Sequence, residues 1–272
     1  MRKRALARHV LSILALVIVS GAAQAQKREE ARLLLATQVL EELRAQRDQY
    51  IPDRLLDRAH GIAVFPGVTK GAFVVGGRYG TGVLVVRDKN GRFSNPVFVR
   101  LAGGSVGWQW GVQQTDIVLV FTTRAGVDRI TEGKMTLGAD ASVAAGPVGR
   151  QASAATDATF KAEVYSYSRS RGLFAGVALD GSALTIDSRS NGSFYRKPDV
   201  KANQIIDGEV QSDAPMVTRF LATVSTSTSR DDRSAAAETA PAADGAPAAS
   251  QAPASEVKTF PMEDPKPGEE PK

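Results

Sequence analysis

The sequence contains no cysteine. Disulfides, thiol catalysis, cysteine-ligated zinc and lipid attachment through an N-terminal cysteine are therefore excluded. Histidine is nearly absent as well. Only His9 and His60 occur, and His9 falls in a segment expected to be removed on export. A Ser-His-Asp arrangement would have to be built on His60, which stands at a predicted helix end where a cationic imidazole also meets the helix dipole favourably. Aromatic residues make up 6% of the chain and no Lys/Arg-rich run is interleaved with them, so nucleic acid is not an expected partner. No carboxylates sit at metal-ligand spacing, and no metal or cofactor is expected. The run Gly76-Gly77-Arg78-Tyr79-Gly80-Thr81-Gly82 matches neither the dinucleotide fingerprint nor the phosphate loop with its Gly-Lys-Ser/Thr. Its glycines read as a place where strands cross closely.

What is present divides the chain into three. Residues 1–25 read as a secretory signal: a basic start with Arg2, Lys3, Arg4 and Arg8, ten residues from Val10 to Val19 that are apolar save Ser12, then Ala23-Gln24-Ala25. That apolar run is too short to cross a bilayer as a permanent helix. The expectation is a cleaved signal and a soluble protein in a bacterial envelope, in the periplasm. Residues 26–229 read as one folded domain. Residues 230–272 hold seven of the thirteen prolines and almost no large apolar residue before Phe260, a composition that cannot bury enough surface to fold. The formal charge of +5 splits unevenly: +4 in the signal, −4 in the tail and +5 in the middle. A modestly basic domain favours an anionic surface or ligand.

Within the domain, residues 27–48 read as an amphipathic helix, with Ala31, Leu34, Leu35, Val39 and Leu43 at helical spacing. It either packs on the domain or lies on a membrane surface. A second, short helix follows Pro52. From Ile62 the period changes to strands: Ile62–Phe65 (stopped by Pro66-Gly67), Ala72–Val75, Val83–Val86, Val97–Val99, Ile117–Phe121, Ala162–Ser168, Leu173–Leu179 and Leu184–Ile186. Asp88-Lys89-Asn90-Gly91 reads as a type I′ hairpin turn, Val127–Ile130 as a helix between strands, and Met216–Val224 as a short C-terminal helix. Unbroken apolar runs such as Val83–Val86 imply burial on both faces. The fold class is α+β: a mostly antiparallel sheet, twisted or partly closed, with N-terminal helices and a short C-terminal helix. The strands do not alternate as those of an outer-membrane barrel do.

The centre of the domain is the small, nearly uncharged stretch from Gly133 to Ser170, expected to run buried. Asp140 there needs backbone N–H partners or an arginine, and is either a structural hydrogen-bond hub or a site residue. Asp157 could converge with it; a hydrolase would need a cleft joining Asp140, Asp157 or His60.

The segments Ala59–Pro66, Gly71–Gly77, Phe93–Val99, Gly138–Arg150 and Tyr165–Ser168 with Gly172–Val177 come in the order seen in the SYLF domain, and the resemblance covers roughly residues 30–197. Two departures stand out. Phe93 occupies the place where the family usually has Trp, and the N-terminal helix is charge-balanced. Eukaryotic members bind phosphoinositides and, in some fungi, actin filaments. The resemblance implies a non-enzymatic lipid-binding module whose bases lie on the N-terminal helix: Lys27, Arg28, Arg32, Arg44 and Arg47. Lys70, Arg78 and Arg150 are further candidates for the same anionic phospholipid. Asp140, Asp157, Gly146, Pro147, Tyr165 and Tyr167 are expected to be structural parts of the motif. The rival expectation is an envelope scaffold that meets a protein partner, with the tail spanning to it.

Overall fold

The structure is a computed structural model that describes residues 26–43, 45, 51–72, 76–105, 111–148, 161–170 and 173–228. The expected signal, the expected tail, Arg44, Arg47, Arg150 and Asp157 lie outside the described residues.

Four long strands carry the sheet: β1 (Gly61–Ala72), β2 (Gly76–Val86), β3 (Val97–Ser105) and β4 (Gly111–Phe121). Five shorter ones follow: β5 (Lys134–Thr136), β6 (Val143–Ala145), β7 (Val164–Ser170), β8 (Leu173–Gly176) and β9 (Ser182–Ile186). The order across the sheet is β5-β9-β3-β2-β1-β4-β7-β6, with β8 beside β7. Every pairing is antiparallel except β6 with β7. The two ends of that order, β5 and β6, are joined by residues 137–142 alone, and Leu137 bridges Ala141. The sheet is thus curled almost into a barrel. The α+β, partly closed architecture expected from the sequence is the one observed.

The apolar runs explain the curl. Val83, Leu84, Val85 and Val86 are all buried, so both faces of β2 need cover. Alternate residues divide between two cores. Inside the curl lie Phe65, Leu84, Val99, Leu101, Ile117, Leu119, Phe121 and Leu184. On the outer face, Val64, Val83, Phe98, Val118 and Tyr167 meet the helices. Helix α1 (26–43), α2 (Asp53–Asp57) and the C-terminal helix Pro215–Thr228 cover that outer face. Helix α3 (Arg124–Thr131) contributes Val127 and Ile130 to the inner core.

Several sequence expectations are corrected. The strand begun at Ile62 does not stop at Pro66-Gly67. It continues to Ala72 through a bulge, where Gly67 takes φ +61° and its N–H donates to Asp116 Oδ1 at 2.8 Å. A bulge is where a proline, which has no N–H to give a ladder, can sit inside a central strand. The hairpin at Asp88–Gly91 is real, yet only Gly91 has positive φ. Type I′ needs it at two positions, so the turn is not type I′. Asp88 Oδ1 instead accepts the N–H groups of Asn90 and Arg92, each at 2.8 Å. The buried stripe of α1 is also shifted. Leu33, Ala36, Val39, Leu40 and Leu43 are buried, whereas Ala31 is exposed and Leu35 is 50% exposed.

Candidate functional site

The basic residues named from the sequence fall into three settings. Lys27 and Arg28 are exposed on the first turns of α1. Arg32 is committed elsewhere. Its Nη1 lies 3.7 Å from Asp187 Oδ2, its Nη2 3.9 Å from Glu29, and its guanidinium sits 5.3 Å from the Phe98 ring centroid. Asp187 also meets Arg100 at 3.4 Å and caps helix α4 (Ser188–Phe194) by accepting the Ser190 N–H. Arg32 therefore clasps α1 to the sheet and is not free to meet a ligand.

Lys70 and Arg78 are the pair that the fold brings together. They stand directly opposite each other on β1 and β2. The register extends the row in both directions: Lys70 faces Gln113 on β4, Arg78 faces Gly103 on β3, and Gly103 faces Ser182 on β9. Directly opposed residues share a face, and this is the face of Val68, Leu101 and Leu184, the inside of the curl. The row lies at the end of the sheet where β1 and β3 finish and β2 and β4 begin. Two like charges directly opposite each other destabilise a sheet. Among the described residues no acid forms an ion pair with Lys70 or Arg78. Arg78 Nη1 donates to the Ala178 carbonyl at 3.3 Å, while its Nε is buried without a hydrogen-bond partner. Desolvation holds its pKa below the ordinary value, yet a guanidinium remains a cation. The Ser182 hydroxyl, fully buried, likewise lacks a partner. Asp180, two residues past Ala178, turns its carboxylate against Gly138.

A second group of cations borders a cleft of about 600 Å³ between the Arg87–Phe93 hairpin and the Asp207–Gln211 loop. Its arginines are engaged within the protein. Arg92 pairs with Asp88 at 3.5 Å and Arg124 with Asp128 at 2.9 Å. Arg87 lies over Phe93, 4.8 Å from the centroid, and donates to the Asp57 carbonyl. Phe93 thus serves as the platform for a structural arginine.

The motif residues settle into the closure of the sheet. Tyr167 is fully buried and its hydroxyl donates to the Pro147 carbonyl at 3.3 Å. Burial, with Tyr165 adding to it, pushes its phenol pKa up. Gly146 lies against that ring: a Cβ there would stand 2.0 Å from Tyr167 Cζ. The Tyr165 hydroxyl accepts the Ala162 N–H at 3.2 Å. Asp140 is exposed, not buried as expected, because the stretch around it turns outward between buried Leu137 and Ala141. Its Oδ2 accepts the Thr136 N–H at 2.6 Å and its own N–H donates to Thr136 O at 2.8 Å, so it acts as a turn hub. His60 is exposed, with Nδ1 3.1 Å from the Arg58 carbonyl. Among the described residues, no three His, Asp or Glu side chains cluster as a metal site requires, and no helix is long and apolar enough to cross a membrane. Ser182 and Gly103 were not singled out from the sequence, because only the strand register sets them beside Arg78.

Residues 102–227 match the Ysc84 family, described as Las17-binding protein actin regulator. LAS seventeen-binding protein 3 of Saccharomyces cerevisiae is 40% identical over 167 residues, covering 60% of this chain and 36% of the yeast protein. SH3 domain-containing YSC84-like protein 1 of Xenopus laevis is 36% identical over 164 residues, 60% of this chain and 49% of the relative. The mouse protein of the same name is 34% identical over 168 residues, 61% and 49%. The chain spans between about a third and a half of these relatives' length, and their names are those of binding proteins, not enzymes. The matched segment runs from β3 to the C-terminal helix and takes in the Gly146–Tyr167 closure: it is residues 102–227 that match the Ysc84, or SYLF, domain family.

Proposed function

We propose that the domain is a non-enzymatic module that docks on an anionic phospholipid surface with the end of the curled sheet where Lys70 and Arg78 stand. The observation that carries this reading is the unneutralised, directly opposed cation pair. Tyr79, on the neighbouring position of β2, is 54% exposed, an amphipathic side chain suited to a headgroup layer. The segments that join β1 to β2 and β3 to β4, residues 73–75 and 106–110, lie outside the described residues. In sequence they are Phe-Val-Val and Val-Gly-Trp-Gln-Trp, uncharged and holding both tryptophans of the chain.

The apolar face of α1 is a poorer candidate on energetic grounds. Burying Leu33, Val39, Leu40 and Leu43 in the outer core contributes roughly 6–12 kcal/mol gross. Each base near a charged membrane contributes about 1 kcal/mol, so undocking the helix would cost more than its bases return. Its contribution to binding is then the exposed pair Lys27 and Arg28. The export expected of residues 1–25 would place the surface in an envelope, facing a periplasm.

Flotation of the full chain with phosphatidylglycerol vesicles tests the reading. We expect binding at low salt that falls at high salt. Lys70→Glu with Arg78→Glu should weaken it at least 30-fold, since two lost contributions of about 1 kcal/mol each amount to roughly that factor before repulsion is added. Wild type that stays unbound at low salt would overturn it.

The names of the relatives favour a second reading, a protein-interaction module. Deleting residues 230–272 separates the two: loss of a captured envelope partner with vesicle binding intact would assign the physiological role to the protein contact.

A further inference from the structure

We infer that the row formed by Lys70, Arg78 and Ser182 is a subsite for a phosphomonoester dianion. This rests on the membrane-docking reading and specifies what the sheet end recognises. The row offers hydrogen-bond donors in three chemical forms: an ammonium, a guanidinium fork and a hydroxyl. Two of these donors are buried and lack a partner among the described residues, Arg78 Nε and Ser182 Oγ. Buried polar groups are normally paired, so two orphans on one transverse row point to a missing acceptor. The position between them is Gly103, which has no side chain to fill the gap. A Cβ there would come within 2.6 Å of Ser182 Oγ, so glycine is what lets the hydroxyl lean over β3 towards the strand of Arg78. Arg78 in turn donates to Ala178, in the segment leading into β9, which draws the guanidinium from β2 towards the strand of Ser182. Two cations without a carboxylate match a charge near −2, and a guanidinium fork matches phosphate geometry. A phosphodiester, with one charge and fewer free oxygens, would leave one cation unmatched.

The dianion could reach the row as a lipid headgroup or as a free phosphate. The full chain should therefore be tested against phosphatidylcholine vesicles doped with phosphatidic acid or with phosphatidylglycerol to the same zeta potential, and by calorimetry against inorganic phosphate. We expect phosphatidic acid to bind at least 10-fold more tightly than phosphatidylglycerol. Ser182→Ala should remove most of that preference, because it deletes a donor without altering charge. Arg78→Lys keeps the charge but loses the fork, and should likewise remove most of the preference. Equal binding of the two vesicle types by wild type, with no phosphate heat, would overturn the subsite and leave membrane docking standing. Phosphate binding that is sensitive to Ser182→Ala, without vesicle binding, would support the subsite for a soluble ligand and overturn the docking reading. Silence in every arm would overturn both.

Discussion

Ser182 holds a fully buried hydroxyl that donates to no group among the described residues. An unsatisfied buried donor costs about 1–3 kcal/mol, so Ser182→Ala should stabilise the ligand-free chain by about 1 kcal/mol in chemical denaturation. A variant that is less stable would mean the hydroxyl is satisfied. Gly146 makes the opposite case. With the Tyr167 ring 2.0 Å from where its Cβ would be, Gly146→Ala must displace either the ring or the backbone, at a cost of about 1–3 kcal/mol. Tyr167→Phe loses only the bond to Pro147 and should cost about 1 kcal/mol; the melting temperatures should rank accordingly. Asp88 offers a pH test. Its carboxyl is held below the ordinary 3.8, first by the Arg92 N–H and then by that of Asn90. A depressed folded-state pKa means that the contribution is present above the unfolded value and is lost as pH falls through the folded one. The amide resonances of Asn90 and Arg92 should therefore titrate together with a midpoint below 3.8.

Helix α1 shows how far an element can be read before its contacts are known. Helicity was plain from the apolar spacing, but the phase was not. Leu33, Leu34 and Leu35 in succession make the helix apolar on several sides, and only the sheet selects the side of Leu33, Ala36 and Leu40. The Arg32–Asp187 clasp joins residues 155 positions apart, a distance at which spacing says nothing. Arg32→Ala should leave Asp187 with Arg100 as its remaining partner and lower stability by about 1–2 kcal/mol. Amide exchange in α1 should quicken selectively while vesicle binding holds. Loss of vesicle binding with unchanged exchange would show that Arg32 faces the ligand. Among the strands, continuous apolar runs locate β2 and β4, whereas Pro66-Gly67, also a common terminator, conceals the bulge in β1.

Across the whole molecule, the mostly antiparallel and partly closed sheet was legible from short connections and doubly buried runs. The means of closure was not, since β5 and β6 are three residues each and too short to show a period. The candidate site was half legible. Lys70 and Arg78 were named for their charge, but their opposition, and the place of Ser182 in the same row, exist only in the register. Because the domain's net +5 is modest, vesicle binding should fall between low salt and physiological ionic strength, where the screening length is about 8 Å. Insensitivity to salt would argue for an apolar contact instead. The closure also bears on how the protein behaves at high concentration. A strand edge is a template on which other chains can add, and long open edges invite fibrils. Here the sheet's path ends in two three-residue strands linked by a single tight turn, so little template remains for a neighbouring copy to extend.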